Sequence, residues 1–174
     1  MEISDSDKLN STVLPILVHP HPNLRKVAQP VEEFDLELRQ LALNLLHTMY
    51  EEGGIGLAAT QVNVQLRILV IDLSGNWKDP QVFVNPVLNF TSGSQVLEEG
   101  CLSVPNYYDK VERPSNVNVS AYDVYGNQFE KEATGLEASC IQHEIDHLNG
   151  KLFVDYLSRL KQIRIRQKLR KARS

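Results

Sequence analysis

The fold is organised around one stretch of the chain, Ala138-Ser139-Cys140-Ile141-Gln142-His143-Glu144-Ile145-Asp146-His147-Leu148-Asn149-Gly150, which contains the pattern His-Glu-x-x-His. Residues four apart on an α-helix are turned by about 40° and separated by about 6 Å along its axis. His143 and His147 therefore lie on one face, where two imidazoles can share a metal ion, and Glu144 is a candidate general base. The pattern is short, so an ordinary helix with two satisfied histidines is the alternative.

Both ends of this helix are marked in the sequence. Thr134-Gly135-Leu136-Glu137 fits a capping box at its start, and Gly150, after Asn149, supplies the left-handed residue that commonly ends a helix. We expect a stripe of apolar side chains to pack on a core while the histidine face borders a cleft. The apolar stripe consists of Ile141, Ile145 and Leu148, and the cleft stripe consists of Leu136, Cys140, His143 and His147. Asp146 is a candidate partner for a liganding imidazole.

Length and composition indicate one globular domain over residues 1–174. The chain is 42% hydrophobic and 23% charged, which is ordinary for a soluble protein. The start MEISDSDKLN does not have the pattern of a signal peptide, and no apolar run is long enough to span a bilayer. Two cysteines without a secretory context favour free thiols in a reducing cytoplasm.

Charge is distributed unevenly along the chain. Residues 159–174 contain eight Lys or Arg and no acid, although the whole chain has a net charge of −4. An acidic body with a basic helix over residues 158–174 suggests an anionic partner, and a solvated helix end is the alternative.

The remaining segments predict an α+β fold with mainly antiparallel sheets around the central metal-binding helix. Residues 1–13 read as a polar, mobile lead, and Leu14 to Val18 as a short edge strand. Asp35 caps a helix that runs to about Glu51. Further strands are predicted at 66–73, 81–88 (bent or at an edge because of Pro86), 116–125 and from Gln128, followed after Gly150 by the C-terminal helix.

A catalytic site of this type needs a third protein ligand, and the residues favour Cys101. Thermolysin-like proteases use a glutamate downstream of the helix, but no glutamate follows His147. Metzincins require a histidine six positions after the second one, and that position is Phe153. Cys140 lies seven residues from His147, about 10.5 Å along the helix, which is too far for one ion. His19 and His21 are ligands by type but sit between prolines and read as loop residues.

Three motifs in order resemble those of the bacterial peptide deformylases of the type common in Gram-negative bacteria. They are Gly54-Ile55-Gly56-Leu57-Ala58-Ala59-Thr60-Gln61, Glu99-Gly100-Cys101-Leu102-Ser103 and Gln142-His143-Glu144-Ile145-Asp146-His147, and the likeness runs from about Leu14 to the C-terminus.

The resemblance implies hydrolysis of the N-formyl group from the formyl-methionine of nascent polypeptides, with release of formate. Cys101, His143 and His147 would hold one divalent ion, iron(II) in the cell and zinc, nickel or cobalt in preparations. Glu144 would transfer the proton, while Gln61 and the Leu102 N–H would stabilise the oxyanion. The residues implied in substrate binding are Gly54, Ile55, Gly56, Leu97, Gly100, Leu136 and Cys140.

The resemblance also implies a cytoplasmic enzyme whose basic C-terminal helix docks near the ribosomal exit tunnel, and we expect a monomer with no membrane partner. Tyr107 and Tyr108 lie where some family members have an arginine on the rim of the site. Ser139 lies where an apolar residue is frequent, which makes part of the pocket wall more polar. The competing interpretations are a metallopeptidase, disfavoured by the missing third ligand, and a ribosome-associated protein with a structural metal site. A closed structural site would need a fourth ligand.

Overall fold

Four α-helices and seven strands form residues 3–172, the part of the chain that the computed structural model describes. The helices are α1 (Asp5–Asn10), α2 (Leu36–Glu51), α3 (Gly135–Leu148) and α4 (Arg159–Lys171). The strands are β1 (Gly56–Ala58), β2 (Ile68–Ile71), β3 (Gln81–Ser92), β4 (Gln95–Cys101), β5 (Val104–Arg113), β6 (Asn116–Tyr122) and β7 (Gln128–Thr134). Short 3₁₀ helices cover Pro22–Arg25, Ala59–Val62 and Phe153–Tyr156.

Both sheets are antiparallel, which confirms the predicted α+β class. The larger sheet has the strand order β1-β2-β3-β6-β7, and β4 and β5 form a separate two-stranded sheet. The strand predicted to be bent or at an edge because of Pro86 is not at an edge. It pairs on both sides, and its register shifts between Val84 and Val87, because proline cannot donate to the ladder and is accommodated at an irregularity.

The large sheet is covered on both faces, which explains the continuous apolar run of β2. Alternate residues of a strand point to opposite faces. Leu69 and Ile71 join a core with Ile141 and Leu148 of α3, whereas Ile68 and Val70 join a second core with α2. Helix α3 is thereby held between the sheet and the cleft, with His143, Glu144 and His147 buried.

The two ends of α3 gave one wrong prediction and one correct one. Thr134 makes no side-chain cap hydrogen bond, because it is the last residue of β7 and pairs with Asn116. The carboxylate of Glu137 instead accepts from Lys131 at 2.9 Å. At the other end Gly150 has φ of +74°, and an added Cβ would lie 2.4 Å from a backbone oxygen, so glycine is required there.

The N-terminal segments differ from the sequence-based interpretation. The predicted strand over Leu14 to Val18 is absent, although its backbone docks through Leu17 N–H on Gln61 O at 2.7 Å. Residues 5–10 of the predicted mobile lead form helix α1, capped by Ser4. By contrast, α2 begins where predicted, with the Asp35 carboxylate accepting from Leu38 N–H.

Helix α4 lies against the back of the β4–β5 hairpin. Its buried residues Ile165 and Leu169 pack with Val104 and Val111 in a third apolar cluster. Lys161 also donates to Asp109 of β5 at 2.7 Å. Ser158 caps the helix, close to the predicted start, and the residues beyond 172 lie outside the described part. The strand that carries Cys101 thus has the basic helix behind it.

His19 is buried (3% exposed) and does not join the α3 histidines in one group of possible ligands; within residues 3–172 its Nδ1 has no hydrogen-bond partner. Burial and the charges of Arg25 and Arg166 lower its pKa to about 4, against the opposing effect of Asp155. The folded state therefore binds fewer protons than the unfolded state between pH 6.5 and pH 4, and stability falls as pH falls through that window.

We expect His19 to account for about 2 kcal/mol of stability lost between pH 7.5 and pH 5. Urea unfolding of the wild type and of His19→Leu at both pH values measures this difference. The variant should show the smaller loss on acidification, whatever its absolute stability. Equal losses in the two proteins would show that His19 does not titrate in this range.

Candidate metal centre

Helix α3 places His143 and His147 one turn apart, as their spacing predicts. Their Nε2 atoms lie 3.2 Å apart, with the rings at 69° to each other. The ring of His143 also stacks on Phe153, with ring centroids 6.2 Å apart. Packing therefore fixes both rings with their nitrogens directed to one point.

Cys101 reaches the same point from the last position of β4. Its Sγ lies 3.3 Å from His147 Nε2, and the three donor atoms lie within 4.8 Å of one another. Ligands of a tetrahedral ion with bonds of 2.0–2.3 Å are about 3.3–3.6 Å apart, so the two short distances fit such an ion. Within residues 3–172 no fourth histidine, cysteine or carboxylate joins the group, which matches an open rather than a closed site.

Glu99 orients His143 through its Nδ1, a role predicted from the sequence for Asp146. Its Oε2 lies 2.9 Å from His143 Nδ1, which leaves Nε2 facing Cys101 and His147 once Nδ1 carries the hydrogen. Burial opposes ionisation of Glu99, but hydrogen bonds from His143 and Arg113 outweigh it and lower the pKa. Asp146 points elsewhere, because it accepts from Arg113 at 2.8 Å and from the Tyr156 hydroxyl at 2.7 Å.

Arg113 is the residue that ties these carboxylates together. Its Nε and Nη2 donate to the two oxygens of Glu99, and its Nη1 donates to Asp146. The Arg113 side chain is 4% exposed, and its guanidinium lies over the Tyr156 ring at 4.8 Å from the ring centroid. A planar, always-charged fork suits this arrangement, which a lysine could not reproduce.

Glu144 is buried next to the converging donors, and its Oε2 has no hydrogen-bond partner among the described residues. Burial raises its pKa to about 7. The carboxylate fits because residue 56 is glycine. A Cβ at Gly56 would lie 2.6 Å from Glu144 Oε1 and 3.0 Å from Cys140 Sγ. A buried carboxyl with a raised pKa and a free oxygen is suited to taking up and releasing a proton.

Gln61 is held with its amide nitrogen toward the site. Its Oε1 accepts from Ala58 N–H at 2.9 Å, so the atom on the other side must be Nε2. Nε2 lies 3.1 Å from Ser103 Oγ and 3.6 Å from Cys101 Sγ. Leu102 follows in the tight turn between β4 and β5. The Gln61 amide is thereby available as an N–H donor near the donor cluster, and Leu102 lines the cavity directly after Cys101.

A cavity of about 530 Å³ opens onto this cluster between β1, β4 and α3. Every residue for which the sequence predicted substrate contact lines it: Gly54, Ile55, Gly56, Leu97, Gly100, Leu136 and Cys140. Burial and the charges of Glu144 and Glu99 raise the pKa of the Cys140 thiol, which favours a protonated wall residue over a ligand. Glu99, Cys101, Ser139, His143 and Glu144 also border the cavity.

Comparison with known proteins identifies the family. Residues 13–163 match the family model described as polypeptide deformylase. The chain belongs to the polypeptide deformylase family. It is 56% identical to peptide deformylases of Acinetobacter baumannii and Pseudomonas aeruginosa over 160 residues, covering 91% of this chain and 91% and 95% of theirs. The crystal structure of the Legionella pneumophila enzyme superposes with a TM-score of 0.90 at 49% identity, covering 93% of this chain and 96% of that one.

Membership in the deformylase family makes this chain a metal-dependent hydrolase that removes the N-formyl group from nascent polypeptides, as the three motifs predicted. The relatives from Gram-negative bacteria support the predicted type. An Ehrlichia chaffeensis deformylase, 38% identical with a TM-score of 0.88, is known in complex with actinonin; the match covers 92% of this chain and 98% of that one. Among residues 3–172 no helix is long and apolar enough to cross a membrane.

Sequence reasoning missed three residues that support this deformylase site. Glu99 lies in the quoted Glu-Gly-Cys motif two residues before Cys101, so its proximity to the donors was detectable. Ser103 lies in the same motif. Arg113 gave no signal, because it acts across the β4–β5 hairpin from a position 14 residues beyond Glu99.

Proposed function

We propose that Cys101, His143 and His147 bind one divalent metal ion and that Glu144 is the general base and acid of deformylation. The observation that carries this proposal is the buried Oε2 of Glu144, unpaired among the described residues, beside three possible metal ligands: one cysteine sulfur and two imidazole nitrogens. A bound divalent ion would supply Lewis-acid activation of water near neutral pH. Glu144 accepts the proton of the attacking water and returns it to the leaving amine.

The developing oxyanion is stabilised by the Gln61 side-chain amide and the Leu102 N–H, which act as preorganised donors. Gln61 is suited to this because Ala58 and Ser103 fix its orientation before substrate arrives. The substrate backbone lies along Gly54, Ile55 and Gly56 as an added strand. The first side chain of the substrate is surrounded by Leu97, Gly100, Leu136 and Cys140. We place the whole site in a single catalytic domain over residues 1–174.

The test is hydrolysis of a short formyl-methionyl peptide by protein loaded anaerobically with iron(II). Mass spectrometry should show loss of the formyl group with all peptide bonds intact, together with equimolar formate. Cleavage of an internal peptide bond would instead support the metallopeptidase interpretation. An absence of turnover with iron, zinc, nickel and cobalt would favour a structural metal site.

We infer that the metal in the cell is iron(II). Air oxidises iron(II) beside a thiolate ligand far more readily than nickel(II), so the iron form should lose activity in air while a nickel-loaded form keeps it. Formate release and metal content are measured before and after aerobic storage. Unchanged activity of the iron-loaded protein would contradict this assignment. Removing the ion with a chelator should abolish turnover in both forms.

We propose that the enzyme is a cytoplasmic monomer that binds the ribosome through α4. It would act there on formylated nascent chains. Ile165 and Leu169 anchor this helix, leaving its exposed basic side chains outward: Arg159, Lys161, Arg164, Arg166, Lys168, Arg170 and Lys171. Arg173, the eighth basic residue of the tail, lies outside the described residues. Lys161 already contacts Asp109, so the better candidates for phosphate contacts are Arg159, Arg164, Arg166, Lys168 and Arg170.

Changing Arg164, Arg166 and Lys168 to Gln should weaken ribosome binding by roughly tenfold or more and reduce its salt dependence. Co-sedimentation over a salt series measures both quantities. The matched control changes three exposed lysines elsewhere, Lys26, Lys78 and Lys110, to Gln. Equal binding by the two triple variants would contradict a docking role for α4. Neither variant removes the apolar anchor of the helix.

A further inference from the structure

The cavity wall formed by α3 contains one polar side chain that the proposed reaction does not use. Ser139 lines the cavity and is 4% exposed. It lies one helical turn before His143 and on the same face, about 6 Å along the axis from the ligand histidine. Its neighbours on the wall, Leu136 and Cys140, offer apolar surface.

The hydrogen bonds of Ser139 define which way its hydroxyl acts. Gln95 Nε2 lies 2.7 Å from the backbone oxygen of Gly135 and 2.8 Å from Ser139 Oγ. A carbonyl oxygen only accepts, so the Gln95 atom between them is the amide nitrogen, which only donates. Ser139 Oγ is therefore an acceptor in this bond, and its own hydrogen remains to be donated.

No acceptor for that hydrogen is found among residues 3–172. Other hydroxyls of the chain donate to backbone carbonyls, as Thr48 does to Asn44 at 2.6 Å, but Ser139 makes no such bond to the preceding turn. A buried hydroxyl that borders a cavity and keeps a spare hydrogen favours an acceptor supplied from within the cavity.

We propose that Ser139 is a specificity-determining residue that donates its hydroxyl hydrogen to an acceptor near the tip of the substrate's first side chain. The inference rests on the proposed function, because it takes this cavity as the pocket for that side chain. The thioether sulfur of methionine is a weak acceptor, and the oxygen of methionine sulfoxide is a strong one. The substrate class is thus formyl peptides whose first side chain carries an acceptor, with oxidised formyl-methionine included.

The test compares three formyl tripeptides that differ only in the first residue: methionine, norleucine and methionine sulfoxide, with the two sulfoxide epimers measured separately. Norleucine has the length of methionine but no acceptor. The proteins are the metal-loaded wild type, Ser139→Ala, Ser139→Thr as the variant that keeps a hydroxyl, and Ser120→Ala as a remote serine control on β6. The quantity measured is the ratio of kcat/KM for sulfoxide to that for norleucine.

We expect Ser139→Ala to lower this ratio by about 3- to 10-fold for one epimer, the size of one hydrogen bond, mainly through KM. The norleucine peptide offers no acceptor, so its kcat/KM should fall less than that of the sulfoxide peptide. Ser139→Thr should retain the wild-type ratio, and Ser120→Ala should not change it.

Two results would overturn the proposal while leaving deformylation intact. One is an unchanged ratio in Ser139→Ala, and the other is an equal loss for all three peptides, which would indicate a wall residue that makes no hydrogen bond to the substrate. Failure of the wild type to release formate from the methionine peptide would instead overturn the proposed function, and this inference with it.

Discussion

Replacing Glu144 with Gln is expected to lower kcat for deformylation by about 10²–10⁴-fold, the usual contribution of general acid–base catalysis. The amide fills the same space beside Gly56 but cannot accept the proton of the attacking water. Because Glu144 is not among the three converged donors, metal content and KM should change little. Steady-state kinetics with a formyl-methionyl peptide and metal analysis of the same sample measure these quantities.

The matched control is Glu137→Gln, which makes the same chemical change on the same helix. Glu137 pairs with Lys131 at the start of α3, away from the cavity lining. This variant should retain activity within about twofold. A Glu144→Gln enzyme that kept more than a tenth of the wild-type kcat would rule out Glu144 as the proton carrier and direct attention to another group in the cavity.

Replacing Arg113 with Met is expected to cost about 3–5 kcal/mol of unfolding free energy, the typical effect of breaking a buried ion pair from one side. Glu99 and Asp146 would lose their shared cation, and Glu99 is 8% exposed. Urea denaturation should be measured on metal-free protein, so that lost metal binding does not add to the lost stability.

The control breaks a more exposed ion pair of α3 instead. Lys131→Met removes the partner of Glu137, both side chains being more than a fifth exposed, and should cost at most about 1 kcal/mol. Metal affinity adds a second readout, because a displaced Glu99 no longer orients His143. We expect Arg113→Met to weaken metal binding by about 10- to 100-fold. A stability loss equal to that of Lys131→Met would contradict the proposed role of Arg113.

The sequence predicted what depends on short-range periodicity. The spacing of His143 and His147 on α3, the Asp35 cap of α2 and the glycine that ends α3 are set within a few residues by helix geometry, so local patterns suffice. The same patterns gave a wrong prediction where a local preference for helix capping competed with the pairing of two strands. Thr134 has a capping sequence, but the end of β7 engages its backbone, and Glu137 binds Lys131.

The partner of His143 shows the limit of sequence reasoning. Asp146, three residues away on the same helix, was a reasonable candidate, yet the tertiary structure directs it to Arg113 and Tyr156 and brings Glu99 to the imidazole from β4. Likewise, the chain alone did not show that the Ser139 hydroxyl is fixed by Gln95 from another element.

By itself the sequence determined the α+β class, the helix that carries two histidines and a glutamate, and the three motifs that identify the family. Only the tertiary structure decided how β4 brings Cys101 against α3, which carboxylate orients His143 and which groups stay unpaired in the cavity. The physical reason is the separation in sequence between the residues that come into contact. A helix fixes side chains four residues apart through its own hydrogen bonds, whereas contacts 40 or more residues apart depend on how strands and helices pack.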